Sequence, residues 1–183
     1  MASEPRLRPA APDDAAGCEA IYRPIVLDTG ISFEWTPPSV DDFRQRIAKV
    51  TARYPWLVAL DDGGEVAGFV YANTHRDAPS YQWSVNTSVF IREDRRGQGL
   101  GKALYAALHR QLVDLGYCHA FAGVALPNAG SVALHESAGY SALGIYQKVG
   151  FKRGAWRDVA WFQKTLQPLP DWPQPPRLPT ASN

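Results

Sequence analysis

Between positions 95 and 102 the chain reads Arg95-Arg96-Gly97-Gln98-Gly99-Leu100-Gly101-Lys102, with glycines on alternate positions among three cations. A glycine has no Cβ, so it tolerates positive φ and lets backbone approach a phosphate closely. Apolar residues at helical spacing follow (Leu100, Leu104, Ala107, Leu108, Leu112, Leu115), closed by Gly116. The start of such a helix offers unpaired N–H groups and the positive end of its dipole, so the string is suited to hold an anion. Spacing separates the phosphate signatures. A Walker A loop needs four residues between its first glycine and Gly-Lys-Ser/Thr; here Gly97 leaves three, and Ala103 stands where the magnesium-binding hydroxyl belongs. A dinucleotide fingerprint needs GxGxxG and an acidic residue about twenty positions on, whereas this string is GxGxG followed by helix. What remains is Arg-x-x-Gly-x-Gly over 96–101.

A second chemistry-bearing segment is Asn128-Ala129-Gly130-Ser131-Val132-Ala133-Leu134-His135-Glu136-Ser137-Ala138-Gly139-Tyr140. Its histidine, His135, can donate or relay a proton near neutral pH. His109 and His119 have no companion motif and are expected to be structural or superficial. Cys18 and Cys118 lie 100 positions apart without a CxxC, and the four histidines are scattered, so buried thiols and no metal are expected. Nineteen basic and eighteen acidic side chains leave a net charge of +1, too little for a global field that would hold nucleic acid or an anionic membrane. No leader pattern opens the sequence and no apolar run approaches about 18 residues, so a cytoplasmic protein is expected.

The elements that must position these groups alternate along the chain. A strand at 6–9 precedes a helix begun by Pro12-Asp13-Asp14, with Cys18, Ile21, Tyr22 and Ile25 on one face. Pro24 lacks the N–H a helix interior needs, so a kink or an early end is expected there. Ser39-Val40-Asp41-Asp42 opens a second helix to about 53. Strands at 56–60 and 66–73 flank the turn Asp61-Asp62-Gly63-Gly64 and read as a hairpin. A loop at 75–81 leads to an alternating strand at 84–92, which runs into the glycine string. A strand at 119–125, a helix from Asn128 to Ser137, and strands near 143–151 and 159–165 complete an α/β sheet of about seven strands, mixed and mostly antiparallel, with about four helices. Residues 1–167 read as one domain. The segment 168–183, PLPDWPQPPRLPTASN, favours an extended surface strap over a packed element.

The glycine string between strand and helix resembles the coenzyme-A pyrophosphate loop of the GNAT superfamily of N-acetyltransferases, and the order of elements resembles that fold. The strings Tyr54-Pro55-Trp56-Leu57-Val58, Gly64-Glu65-Val66-Ala67-Gly68, Leu126-Pro127-Asn128, Ser131-Val132-Ala133-Leu134-His135-Glu136, Val149-Gly150-Phe151-Lys152 and Trp156-Arg157-Asp158-Val159 are similar to phosphinothricin acetyltransferases and their methionine-sulfoximine and arsinothricin-acetylating relatives. The resemblance spans about 5–170.

It implies acetyl-CoA as co-substrate, without a metal, and transfer of its acetyl group by direct attack to the primary amine of a small amino-acid-like molecule. By the same resemblance, Arg96, Gly97, Gln98, Gly99, Leu100, Gly101 and Lys102 hold the pyrophosphate. Backbone around Val89, Phe90 and Ile91 pairs with pantetheine and stabilises the oxyanion, Asn128 bonds the pantetheine arm, and Ser137 lines that cleft. His135 falls where many relatives carry a Tyr that protonates the leaving thiolate. Phe33 with His75 or Arg76 falls where relatives place an aromatic wall and an acid-binding arginine, whose planar fork suits carboxylate or phosphinate. Asn86, with Thr87 and Ser88 beside it, lies on the strand where relatives usually carry a Glu or Asp that takes the amine's proton. A neutral amide cannot be a general base, so water, His135 or another group must act, or the acceptor differs. Acetylation of a polyamine, antibiotic or peptide N-terminus, or a non-catalytic CoA-binding sensor, remain open alternatives. A homodimer is expected from the resemblance.

Overall fold

The computed structural model describes residues 5–179, and its frame is one seven-stranded sheet in the order β1-β2-β3-β4-β5-β7-β6. The strands are β1 (Arg6–Pro9), β2 (Trp56–Leu60), β3 (Val66–Thr74), β4 (Ser84–Ile91), β5 (His119–Ala125), β6 (Ser141–Lys152) and β7 (Ala155–Thr165); the helices are α1 (Ala15–Asp28), α2 (Val40–Thr51), α3 (Leu100–Leu115) and α4 (Ala129–Ser137). Neighbours pair antiparallel except β4 with β5. This is the mixed, mostly antiparallel α/β sheet with four helices that the sequence predicts.

Both faces of the sheet are covered, which explains the unbroken apolar run Trp56–Leu60 of β2. On one face α3 buries Leu104, Leu108 and Leu112 against Val70, Val85, Ala120 and Phe162. On the other, α1 and α2 bury Cys18, Ile21, Phe43 and Ile47 against Trp56, Val58 and Phe69. Local chemistry sets the helix ends. Ser39 accepts from the Asp42 N–H while the Asp42 carboxylate accepts from the Ser39 N–H, a capping box that starts α2. Gly116, at φ 97°, ends α3.

Helix α1 does not end early at Pro24 but continues through it to Asp28. Its last carbonyls are taken up from outside the helix: Thr29 Oγ1 donates to Ile25 O, Lys152 Nζ to Val26 O and Arg153 to Leu27 O. These bonds offset the amide that Pro24 lacks. Lys152 Nζ also donates to Ser32 O and Glu34 O, each at 2.7 Å, so one buried ammonium ties the α1–α2 connection to β6.

Strands β4 and β5 are joined only over Ser84–Asn86 and His119–Phe121, although β4 runs on to Ile91 and β5 to Ala125. The sheet therefore forks beyond the Asn86–Phe121 rung. Residues 168–179 form no regular element and lie along the α3–β5 turn, where Gln174 O accepts from Trp83 Nε1 and the Arg177 N–H donates to Leu115 O. The end of the expected strap, 180–183, lies outside the described residues. No helix among the described residues is long and apolar enough to cross a membrane.

Candidate active site

The glycine string lies on the turn between β4 and α3. Gly97 and Gly99 have φ of 71° and 79°, and a Cβ built on either would meet nothing within 4 Å. No side chain caps α3, whose first intrahelical bond is Ala103 N–H to Gly99 O. The N–H groups at the start of α3 thus face open space beside Lys102, at the positive end of a 16-residue helix. Two side chains brace the turn: Arg96 Nε donates to Ile91 O, and Gln98 Nε2 donates to Asp94 O. Gly101 has a different task from the one its spacing suggests. A Cβ there would come within 2.8 Å of the Leu134 side chain, so this glycine permits close approach of α4 to α3. Leu100 is buried in the core and contributes only backbone to the turn.

The fork adjoins this turn. The Arg92 N–H donates to Ala67 O, so even-numbered residues of β4 direct main-chain groups to β3 and odd-numbered ones direct theirs towards β5. Past the last rung, the main-chain groups of Val89 and the N–H of Ile91 therefore face the gap. The Val89 and Ile91 side chains pack towards α3 and that of Phe90 packs edge-on to Tyr22. Asn128 caps α4 by accepting from the Ser131 N–H through Oδ1, which leaves its amide NH2 for another partner. Ser137 is exposed on the last turn of α4 and donates to Leu134 O.

On the opposite face a cleft of about 550 Å³ opens at the fork, lined by His75, Arg76, Asn86 and Phe121, with Trp161 of β7 and Tyr146 of β6 opposite. Three residues chosen from sequence are thus brought together. His75 stacks on Phe121 with ring centroids 4.2 Å apart, and its Nδ1 lies 2.8 Å from Asn86 Oδ1. Arg76 is exposed over Tyr81. Ser88 shares the Asn86 face and pairs in register with Tyr71 of β3. Trp161 and Tyr146 escaped sequence reasoning; the signal available was their alternation along strands, which does not say which face meets a cleft.

Three expected site residues stand elsewhere. Thr87 is 5% exposed and points to the α3 face, donating to Phe121 O and bonded to the Tyr140 hydroxyl. Strand alternation turns it away from Asn86, so it braces the fork instead of lining the cleft. Phe33 is not among the cleft-lining residues; its ring packs on Gly150, where any Cβ would come within 2.4 Å. His135 is 4% exposed among Tyr105, Tyr140 and Phe162. Its Nδ1 donates to Ser131 O at 2.7 Å, so Nε2 is the acceptor for the Tyr105 hydroxyl at 2.8 Å. Burial holds this imidazole below its ordinary pKa, against a smaller opposing effect of the Ser131 carbonyl. A neutral ring with both nitrogens engaged does not present a proton to the cleft.

His109 is also buried, 3.0 Å from the Tyr140 hydroxyl, and burial lowers its pKa to about 3. Cys18 and Cys118 are free and buried, and burial raises the Cys18 thiol to about 12, so neither is a nucleophile at neutral pH. Among the described residues no group of three or more His, Cys, Asp or Glu could hold a metal ion.

Comparison with known proteins finds a match to the acetyltransferase (GNAT) domain family over residues 7–161. A phosphinothricin N-acetyltransferase of Streptomyces viridochromogenes is 36% identical over 93% of this chain and 92% of its own. An L-methionine sulfoximine/L-methionine sulfone acetyltransferase of Pseudomonas aeruginosa is 35% identical over 88% of this chain and 95% of its own. The crystal structure of a phosphinothricin acetyltransferase from Sinorhizobium meliloti in complex with AcCoA superposes with a TM-score of 0.85, at 34% identity and 88% coverage of each chain.

Proposed function

The chain belongs to the GNAT acetyltransferase family and is an acetyl-CoA-dependent N-acetyltransferase, and from that premise we propose that its acceptor is the primary amine of a small amino-acid-like molecule of the phosphinothricin or methionine sulfoximine kind. The observation that carries the acceptor class is the cleft at the fork, closed on two sides by aromatic rings and bearing a free guanidinium, Arg76, but no carboxylate among its lining residues. Such a site suits a short molecule with an amine at one end and an anionic group at the other. A polyamine would meet a cation with no opposing charge.

The residues fit the co-substrate. The empty space over Gly97 and Gly99, the uncapped start of α3 and the charges of Arg96 and Lys102 suit a pyrophosphate. We assign Gln98 and Leu100 to shaping that turn, with Gly101 setting the helix contact beside it. The free main-chain groups of Val89 and the free N–H of Ile91 receive an extended pantetheine arm in the manner of an added strand, and the Asn128 amide offers a further donor. Acetyl-CoA supplies an activated acetyl group as a thioester. The chain's own part is to align the amine and to offer backbone N–H groups where charge develops on oxygen. His135, sealed in the core, acts as a packing and positioning group. Phe33, packed on Gly150 outside the cleft lining, is assigned no contact with the acceptor.

We further propose a cytoplasmic homodimer in which residues 1–167 form the catalytic domain. Edge strand β6 exposes Leu143, Ile145, Tyr146, Val149 and Phe151, a length of apolar surface suited to a second copy of this chain. Release of CoA thiol across a panel of amino acids, phosphinothricin, methionine sulfoximine, polyamines and peptides tests the acceptor class. Arg76→Ala should raise KM for an acidic acceptor by about tenfold or more, leaving kcat nearly unchanged. Preference for a polyamine or peptide, or binding of acetyl-CoA without release of thiol, would sink the proposal.

A further inference from the structure

Residue 86 lies where the amine's proton should be taken, yet its amide has no basic lone pair for the task. We infer that His75 is the general base of this enzyme and that Asn86 is the positioning residue that fixes its tautomer. The inference rests on the cleft being the acceptor site.

The geometry is specific. Asn86 Nδ2 donates to Thr74 O, which turns Oδ1 of the same amide towards the ring of His75, 2.8 Å from Nδ1. An amide oxygen only accepts, so Nδ1 carries the hydrogen and Nε2 keeps its lone pair. Nε2 has no partner among the described residues. Stacking on Phe121 at an interplanar angle of 17° restrains the ring. Asn86 and Phe121 form the last bonded rung before the sheet forks, so the free nitrogen is held at the apex of the gap. Directly opposite Asn86, on β3, Asn73 carries on the same face a buried Oδ1 that no donor satisfies.

The groups around His75 leave this role to it. Arg76 belongs to the same connection, Tyr81 approaches from a 3-10 turn at Pro79–Tyr81 with its ring 5.8 Å away, and Tyr146 lines the cleft from β6. His119 lies on β5 beside Phe121, with its Nδ1 accepting from Gln163. No carboxylate lines the cleft.

In the step, Nε2 takes one proton from the substrate ammonium. The amine's lone pair then forms the nitrogen–carbonyl bond as the carbon–sulfur bond breaks. Sulfur leaves with the electron pair and receives the proton that the new amide sheds, and His75 returns its own to solvent. The balance is ammonium plus thioester giving amide, thiol and one proton.

The test is the pH dependence of kcat and kcat/KM for the unaltered enzyme, His75→Ala and Asn86→Asp at saturating acetyl-CoA. His75→Ala should lower kcat by about a hundredfold or more, abolish the ionisation on the acid side of the profile, and be partly rescued by added imidazole. Asn86→Asp places a carboxylate against Nδ1–H and should move that ionisation about one unit to higher pH. A His75→Ala enzyme that keeps the unaltered kcat and profile while only acceptor KM rises would assign His75 to substrate holding and overturn the inference. So would an Asn86→Asp enzyme whose ionisation does not move, since a carboxylate against Nδ1–H must raise it if His75 is the group that titrates. Failure of the acceptor-site reading shows separately, as an Arg76→Ala enzyme with unchanged acceptor KM, and removes the ground for the inference too.

Discussion

His109 should make the protein lose stability in mild acid, in a way that one substitution removes. Its imidazole is buried against Tyr105 and Tyr140 and, chiefly because of that burial and secondarily because of Lys164 and His135, holds a pKa of about 3, against 6.5 for an ordinary histidine. A base whose folded pKa lies below its unfolded one binds protons preferentially in the unfolded chain. Its stability contribution is therefore complete above pH 6.5 and drains away as the pH falls towards 3. At pH 5 the unfolded histidine lies about 1.5 units below its pKa, and each unit is worth about 1.4 kcal/mol, so about 2 kcal/mol is lost between pH 7 and pH 5 through this residue. Urea unfolding at the two pH values measures the loss directly. His109→Gln can keep a bond to the Tyr140 hydroxyl while removing the ionisation. It should be less stable than the unaltered protein at pH 7 but lose about 2 kcal/mol less on acidification. His135, shifted in the same direction by burial, supplies a remaining slope. Equal losses in the variant and the unaltered protein would show that His109 is charged or solvated in the folded state, and the buried neutral cluster would have to be abandoned.

Other perturbations probe the turn and the tie between sheet halves. Gly101→Val would drive a branched side chain into Leu134, already 2.8 Å from an added Cβ, and should cost about 1–3 kcal/mol in a thermal or urea melt while weakening acetyl-CoA binding by calorimetry. A variant with unaltered affinity and stability would show that α3 and α4 need not touch there. Lys152→Met leaves Val26, Ser32 and Glu34 without their shared donor; a loss of about 3 kcal/mol or more is expected, with faster amide exchange over 26–34. Unchanged exchange there would contradict the ammonium's role.

What the sequence made legible follows from how local each signal is. Helix α3 could be bounded because Gly99 and Gly116 both sit in the left-handed region, and α2 because Ser39 and Asp42 cap each other across one turn. The fork was not legible in the sequence, since nothing within 84–92 or 119–125 says that pairing stops after the third shared rung, Asn86–Phe121. That α1 runs past Pro24 to Asp28 was not legible, because two of the donors that satisfy its end come from Lys152 and Arg153, far along the chain. Among site residues, His75, Arg76 and Asn86 converge because β3 and β4 pair in register, Asn73 opposite Asn86. Thr87 was assigned by adjacency in sequence, which in a strand means opposite faces. The histidine at 135 could have served either core or chemistry, and only its two bonded nitrogens decide between them.

The contact between Lys152 and Val26 spans 126 positions of chain, and this imposes an order on biosynthesis. As the polypeptide emerges from the ribosome, the Val26 and Leu27 carbonyls at the end of α1 must wait for Lys152 and Arg153, 126 positions further on. Only when the end of β6 is extruded do these two carbonyls find their donors and the α1–α2 connection its anchor. A chain truncated before that strand would therefore lack more than an edge: the Val26 and Leu27 carbonyls that close its first helix would lose their donors.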